Sequence, residues 1–343
     1  VEISILPESQ RNSPLGKTAL AVEGRGENMP EGMRIFSGSA HKQLAEDVCQ
    51  VLGVSLGDYE SFKFSDGNWL VRIKENVRGC DIFFIQPICE SVNDNLMELL
   101  FAIDAFRRAS AQQITVVIPY LSYARGDKKE EPRVSIRARV VADLLETVGA
   151  QRVITFDLHS PQVQGFFKVP VDNLYALPMF VEFLKKRHKD FSSWVVVSPD
   201  MGFAKQARKF ARRLGASVAI GDKERLDHSE QAVIMNIIGD VEGKNALIVD
   251  DEVVFGDSLC KIAEVLKERK AWKVYACVTH AVLSGKAIEE IARAPIKELV
   301  VTDTIPLPEE KQHPKIVQVS VAPLLARAIE SVFQRTSISR LFE

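Results

Sequence analysis

The chain has 343 residues, 46% of them hydrophobic and 26% charged, with a formal net charge of -2. That length and composition bury a large core and leave room for two domains, while Lys and Arg residues spread along the chain give no cationic footprint for a polyanion, so nucleic acid is not an expected partner. The five cysteines (Cys49, Cys80, Cys89, Cys260, Cys277) are odd in number, far apart and without a CxxC pair. This argues against a disulfide framework or a zinc site and for a reducing cytoplasm, and no apolar run approaches the ~20 residues of a membrane span.

From the beginning, residues 1–32 are rich in Gly, Pro, Glu, Asn and Ser without periodicity and read as a mobile extension. From Met33 onward, short β-branched runs recur at Ile82 to Ile85, Ile114 to Ile118, Val153 to Phe156, Val195 to Val197, Ala246 to Val249, Val274 to Val278, Leu299 to Val301 and Ile316 to Val319. Continuous apolar runs of this length are the pattern of parallel strands buried on both faces. Between them, Asn95 to Arg108 carries Leu96, Leu99, Leu100 and Ile103 on one helical face, with Asn93 or Asp94 available to cap it. Ser135 precedes a second helix, Ile136 to Val148, and Gly149 stands where a glycine would end it. The alternation predicts an α/β fold of doubly wound parallel sheets. The runs fall into two sets about Tyr175, so domains are expected at 33–175 and 176–343.

Ligands of such sheets sit beyond the carboxyl ends of the strands, and chemistry is sought there. Tyr123-Ala-Arg125-Gly-Asp127-Lys128-Lys129 offers cations beside an aromatic ring, suited to triphosphate oxygens; a solvated charged loop is the plainer alternative. The strand ending at Asp157 leads to His159, which suits a magnesium or phosphate ligand, although a single strand-end histidine commonly serves packing or hydrogen bonding. Asp200 follows Val195-Val-Val-Ser-Pro199, where a turn aspartate bonded to its own backbone explains it equally well. Lys223-Glu-Arg225 follows the run Ser217 to Ile220 and brings two cations that would suit a phosphoryl transition state. The strongest local signal is Ala246-Leu-Ile-Val-Asp250-Asp251-Glu-Val-Val-Phe255-Gly256-Asp257-Ser258, a buried strand, an acidic pair, a short loop and a helix start. Loop N–H groups backed by a helix dipole hold an anion, and adjacent carboxylates hold sugar hydroxyls or a hydrated cation. The competing explanation is an acidic helix entrance after a core strand.

In order, Phe36-Ser-Gly-Ser39, Phe64-Ser-Asp-Gly67, Asn93-Asp-Asn-Leu-Met-Glu98, Tyr123-Ala-Arg125, Asp157-Leu-His159, Gln164-Gly-Phe-Phe167, Val171-Asp-Asn-Leu174, Ser198-Pro-Asp200, Lys223-Glu-Arg225 and Asp250-Asp251 resemble the phosphate-activated ribose-phosphate diphosphokinases from about Met33 to Phe342. The resemblance implies two domains like type I phosphoribosyltransferases, the last helix packing back on the first, and a homo-hexamer built from dimers that share ATP sites. It implies transfer of the diphosphoryl group of ATP to the 1-hydroxyl of ribose 5-phosphate, giving 5-phosphoribosyl 1-diphosphate and AMP, with Mg2+ as cofactor.

Residue by residue, the resemblance assigns ATP to Phe64, Asp66, Asn68, Arg125, Asp127 and His159, with Phe64 and Arg125 flanking adenine and Asp66 reaching from a neighbouring subunit. It assigns magnesium to His159 and Asp200, and ribose 5-phosphate to Asp200, Asp250, Asp251, Phe255, Gly256, Asp257 and Ser258. Lys223 and Arg225 take the catalytic role, and Gln164, Asp172, Asn173, Ser337 and Ser339 the effector site for inorganic phosphate or ADP. The sequence departs from the family pattern at Asn68 (for Glu or Gln), Gly126 (for Gln), Phe203 (for Gly), Val254 (for Asp), Phe255 (for Thr) and Asp257 (for Gly). A catalytically weak homologue that binds nucleotide and regulates active subunits is the alternative that these departures leave open. An ordinary phosphoribosyltransferase accounts for the acidic pair and loop but not for Phe64 to Gly67, His159 or Lys223-Glu-Arg225.

Overall fold

The computed structural model describes residues 32–225 and 233–341. The expected extension, apart from Gly32, lies outside the described residues. The described residues divide into two compact units, one holding 32–175 together with 304–306 and 320–341, the other holding 176–303 and 307–319.

In the first unit the elements run β1 (Met33–Ser37), α1 (Lys42–Leu52), the strands β2 (Tyr59–Lys63) and β3 (Trp69–Ile73), β4 (Asp81–Ile85), α2 (Val92–Arg108), β5 (Gln113–Ile118), α3 (Arg137–Val148), β6 (Arg152–Phe156) and β7 (Val171–Leu174). Its five-stranded sheet has the order β1-β4-β5-β6-β7, parallel throughout, and β2 and β3 form a separate antiparallel hairpin. Alternate strand residues explain the continuous apolar runs. Ile82, Phe84, Val116 and Ile118 join a core with Leu99, Ile103 and Phe106 of α2 and Val141 and Leu145 of α3, while Phe83, Ile85, Val117 and Ile154 are buried as well. Gly149 ends α3 at φ 122°, where a side chain would be strained, so the glycine does end the helix there.

The second unit runs α4 (Leu177–Arg187), β8 (Trp194–Ser198), α5 (Ala204–Leu214), β9 (Ser217–Arg225), β10 (Val233–Ile238), β11 (Asn245–Val253), α6 (Asp257–Glu268), β12 (Lys273–Ala281), α7 (Ala287–Arg293), β13 (Ile296–Thr302) and β14 (Ile316–Val319). Its seven-stranded sheet has the order β10-β9-β8-β11-β12-β13-β14, and β10 alone is antiparallel to its neighbour. Here the two-residue period is complete: Val195 and Val197, Ala246 and Ile248, and Val274 and Ala276 face α6 and α7, whereas Trp194 and Val196, Leu247 and Val249, and Tyr275 and Cys277 face α4 and α5. Each such Val or Leu contributes roughly 1.5–3 kcal/mol through burial. The last helix, α8 (Ala322–Phe333), packs on α1 and belongs to the first unit.

The cap expected on α2 is different. Ser91, at φ 63°, is the N-cap and makes no side-chain cap bond, so neither Asn93 nor Asp94 fills that role. Instead the first two turns of α2 hold other segments. Glu98 is fully buried and accepts from the Ser39 N–H (3.0 Å), Gln86 Nε2 (2.8 Å) and the Tyr59 hydroxyl (3.3 Å). Burial, then the Glu98 charge, pushes the Tyr59 hydroxyl far above its ordinary pKa, so it stays a donor at all physiological pH. Glu98→Ala leaves the buried Gln86 amide without its acceptor, at about 1–3 kcal/mol, and removes two partly buried hydrogen bonds worth less each, so we expect a loss of roughly 3 kcal/mol in urea unfolding. A loss below about 1 kcal/mol would contradict the network.

Candidate active site

The turn joining β2 to β3 holds Phe64, Asp66 and Asn68 outward. The Phe64 N–H donates to the Asn68 carbonyl (2.7 Å), the Gly67 N–H to the Phe64 carbonyl (2.9 Å), and Asp66 Oδ1 accepts from the Asn68 N–H (2.9 Å). Gly67 has φ 89°, which suits this tight tip. Phe64 is 44% exposed and stacks edge-on against Phe62 at 4.7 Å, so an aromatic face is presented to solvent instead of being spent in a core.

On the same unit, the 3-10 turn Ser122–Arg125 places Arg125 in solvent, with Asp127 partly exposed beyond it. Gly126 between them is buried, and a Cβ there would lie 2.6 Å from Arg137 Nε. The departure at Gly126 therefore has a packing cause: the Arg137 side chain crosses the position. Past β6, Asp157 takes a positive φ of 31° and its N–H bonds the Leu174 carbonyl (2.9 Å). This turn carries the chain off the sheet and leaves His159 exposed.

The expected effector residues do not share one environment. Ser337 and Ser339 are exposed, with their hydroxyls 3.0 Å apart. Gln164 donates its amide to the Pro161 carbonyl (2.9 Å) within its own 3-10 turn. Asp172 is buried and paired with Arg152 Nη1 at 2.5 Å, and buried Asn173 accepts from the Leu158 N–H at 3.1 Å. These two side chains are placed as interior partners of the sheet end, not as open ligands; their strand β7, short and polar in sequence, gave no warning of that burial.

The second unit gathers the carboxylates. β11 carries Asp250 and Asp251 past the level at which β8, its parallel neighbour, ends, and Asp200 follows two residues beyond β8. Asp251 is buried, Asp250 is partly accessible, and Asp250 Oδ1 accepts from the Asp251 N–H at 3.0 Å. Burial pushes the Asp250 carboxyl well above the usual carboxylate range; the charge of Asp251 and a hydrogen bond from it add to this, and Asp200 adds its own charge. Burial and the neighbouring carboxylates thus favour the protonated form of Asp250, and hydroxyl donors or a cation would favour the ionised one. Asp200 Oδ1 also accepts from the Phe203 N–H (3.1 Å), and the partly buried Phe203 ring packs on the core below, which accounts for an aromatic at this departure.

Beyond the acidic pair, Gly256 (φ 87°) is the N-cap of α6 without a side-chain cap bond, so N–H groups of that first turn face outward at the positive end of the helix dipole. Phe255 is 59% exposed and its ring lies toward Gly285, where an added Cβ would meet it at 3.8 Å. Asp257 and Ser258 are exposed on the first turn. Lys223 and Arg225 differ from expectation in backbone form. They lie on β9, opposite Met235 and Val233 of β10, and not in a loop; their side chains are outside the described residues.

Among the described residues no group of three or more His, Cys, Asp and Glu forms a metal-binding cluster. Taken singly, the exposed His159 of the first unit and the Asp200 carboxylate of the second are each of a donor type that suits Mg2+, which keeps several waters and takes much of its coordination from substrate phosphates.

Two family models match the chain: the N-terminal domain of ribose phosphate pyrophosphokinase over residues 33–149, and the phosphoribosyl synthetase-associated domain over residues 226–343. The chain is 50% identical to the ribose-phosphate pyrophosphokinase of Caldanaerobacter subterraneus subsp. tengcongensis over 90% of its own length and 98% of the relative's. It is 45% identical to that of Clostridium acetobutylicum, over 92% and 99% respectively. The crystal structure of phosphoribosylpyrophosphate synthetase from Mycobacterium smegmatis superposes with a TM-score of 0.84 at 38% identity, covering 89% of this chain and all of that one.

Proposed function

Because the chain belongs to the ribose-phosphate pyrophosphokinase family, which makes 5-phosphoribosyl 1-diphosphate from ribose 5-phosphate and ATP, we propose how its residues divide that reaction. The observation that carries the sugar side is the buried acidic pair beside an uncapped helix N-terminus. Asp250 and Asp251 accept the ribose hydroxyls, and N–H groups of Gly256 to Ser258 receive the 5-phosphate. On the ATP side, Phe64 and Arg125 flank adenine, with Asp66, Asn68 and Asp127 around the nucleotide. His159 on the first unit and Asp200 on the second are each assigned to Mg2+, which would neutralise phosphate charge when bound.

The sugar 1-hydroxyl attacks the β-phosphorus; the bond from that phosphorus to the bridging oxygen of AMP breaks, and AMP leaves with the electron pair. Little covalent work falls to the protein, so positioning and charge stabilisation dominate. Lys223 and Arg225 supply cations to the transferring group. The phosphate-activated class, phosphate and ADP as effectors at Gln164, Asp172, Asn173, Ser337 and Ser339, a cytoplasmic location and a homo-hexamer belong to the same reading. Support for assembly comes from Met97 and Phe101 on α2 and Val140 and Leu144 on α3, four apolar side chains exposed by 36–51% at one-turn spacings.

The direct test is AMP release from Mg-ATP that depends on ribose 5-phosphate. Nucleotide binding without such release would favour the regulatory reading that the altered 5-phosphate loop leaves open. The outward Phe255 and exposed Asp257 predict the effect of restoring the family pattern. Phe255→Thr with Asp257→Gly should change the KM for ribose 5-phosphate by less than about threefold, because backbone N–H groups make the cradle and an exposed charge acts weakly. A tenfold fall in that KM, with the KM for ATP fixed, would show that the two side chains obstruct the phosphate.

A further inference from the structure

The two segments assigned to ATP are tied to one short stretch of helix. Lys63 and Trp69 are directly paired across the hairpin and are the last paired residues before its tip. Both reach the same carboxylate: Lys63 Nζ lies 2.9 and 2.8 Å from the two oxygens of Asp94, and Trp69 Nε1 donates to Asp94 Oδ1 at 3.2 Å. These hydrogen bonds, Lys63 first, hold the Asp94 carboxyl below its ordinary pKa, so it is ionised at working pH. One residue earlier, Asn93 Oδ1 accepts from the Tyr123 hydroxyl, two residues from Arg125. The first turn of α2 thus grips the base of the Phe64 tip with one side chain and the Arg125 turn with the next.

Stability does not explain the arrangement. Lys63 and Asp94 keep 42% and 35% of their side-chain surface in solvent, and exposed ion pairs of this kind contribute little to folding. The fold of α2 rests elsewhere, on Leu99, Ile103, Phe106 and the buried Glu98. What the exposed bonds do is restrict where the tip and the turn sit. A ring that flanks a base acts only if it is held in place before the base arrives, since small misplacements far from the reacting atoms lower rates steeply.

We propose that Asp94 and Asn93 are positioning residues for ATP, Asp94 holding the Phe64 hairpin tip through Lys63 and Trp69, and Asn93 holding the Arg125 turn through Tyr123. Neither touches the nucleotide, and the role rests on the reading that Phe64 and Arg125 meet it. The tie acts in the same way whichever subunit's ATP the tip meets.

The test measures steady-state kinetics and thermal unfolding of the full chain for Asp94→Ala, Lys63→Met, the double variant, Tyr123→Phe, and Phe64→Ala as reference. Asp94→Ala and Lys63→Met should each raise the KM for Mg-ATP roughly tenfold, the double variant no further, and Tyr123→Phe severalfold, while the KM for ribose 5-phosphate and the Tm stay close to the parent. A conservative Asp94→Glu should recover part of the ATP affinity. If Phe64→Ala raises the KM for ATP but Asp94→Ala leaves it unchanged, the positioning role is overturned and the reading of Phe64 stands. If Phe64→Ala itself leaves that KM unchanged, the reading fails and the proposal with it. A fall in Tm accompanied by proportionate losses for both substrates would make Asp94 structural and also overturn the proposal.

Discussion

Asp250→Asn should abolish most turnover and yet make the unliganded protein more stable at neutral pH. Burial and the neighbouring Asp251 and Asp200 raise the folded-state pKa of Asp250, so the folded chain binds a proton that the unfolded chain has released. Near pH 3 both states are protonated and the group contributes nothing. As pH rises past about 4, the unfolded carboxyl ionises first, and stability falls until the raised folded pKa is passed. An asparagine removes that penalty. The expected record is a Tm for Asp250→Asn at or above the parent at pH 7 to 8, with the gain shrinking toward pH 4. If Asp250 accepts the ribose hydroxyls as proposed, the same change removes a charged acceptor, so kcat/KM for ribose 5-phosphate should fall roughly a hundredfold or more. A variant less stable than the parent at pH 8 would contradict the raised pKa, and one that retains full activity would place the ribose hydroxyls elsewhere. The trade is physical: carboxylates close enough to grip one sugar repel each other when the sugar is absent.

The second large effect concerns the cations of β9. Lys223→Ala should lower kcat roughly 10²- to 10³-fold while the KM for Mg-ATP moves by less than about threefold, because a cation aimed at the transferring group acts on charge that develops in the transition state. Equal losses in ATP affinity and turnover would make Lys223 a ground-state ligand instead.

Much of the fold could be read directly from residue pattern. All eight apolar runs became strands, seven of them in the sheet interiors, where cover on both faces needs apolar residues at consecutive positions, and the eighth the half-buried edge strand β14. The strands left unread, β1, β2, β3, β7 and β10, include the separate hairpin, edge strands of the two sheets and stretches of mixed polarity. Their period is diluted by solvent exposure or by functional side chains. The strand, acidic pair, short loop and helix start at Asp250 to Ser258 were legible as local structure, since a buried apolar run followed by carboxylates and a glycine marks a strand end and a helix entrance.

Sequence alone therefore determined the α/β class, the ends of the buried strands and the family to which the chain belongs, because these depend on local periodicity and on residue types in order. The tertiary structure decided what no local pattern contains. It turned Asn93 and Asp94 from cap candidates into anchors of two distant segments, 30 and 31 residues away, since a helix surface meets whatever the fold lays across it. It placed Asp172 inside an ion pair with Arg152 and turned Phe255 outward beside Gly285. It also raised the proton affinity of Asp250, chiefly by taking the carboxyl out of water, with Asp251 next and the charge of Asp200, past the end of β8, adding last; the exclusion of water is an effect to which order along the chain is blind.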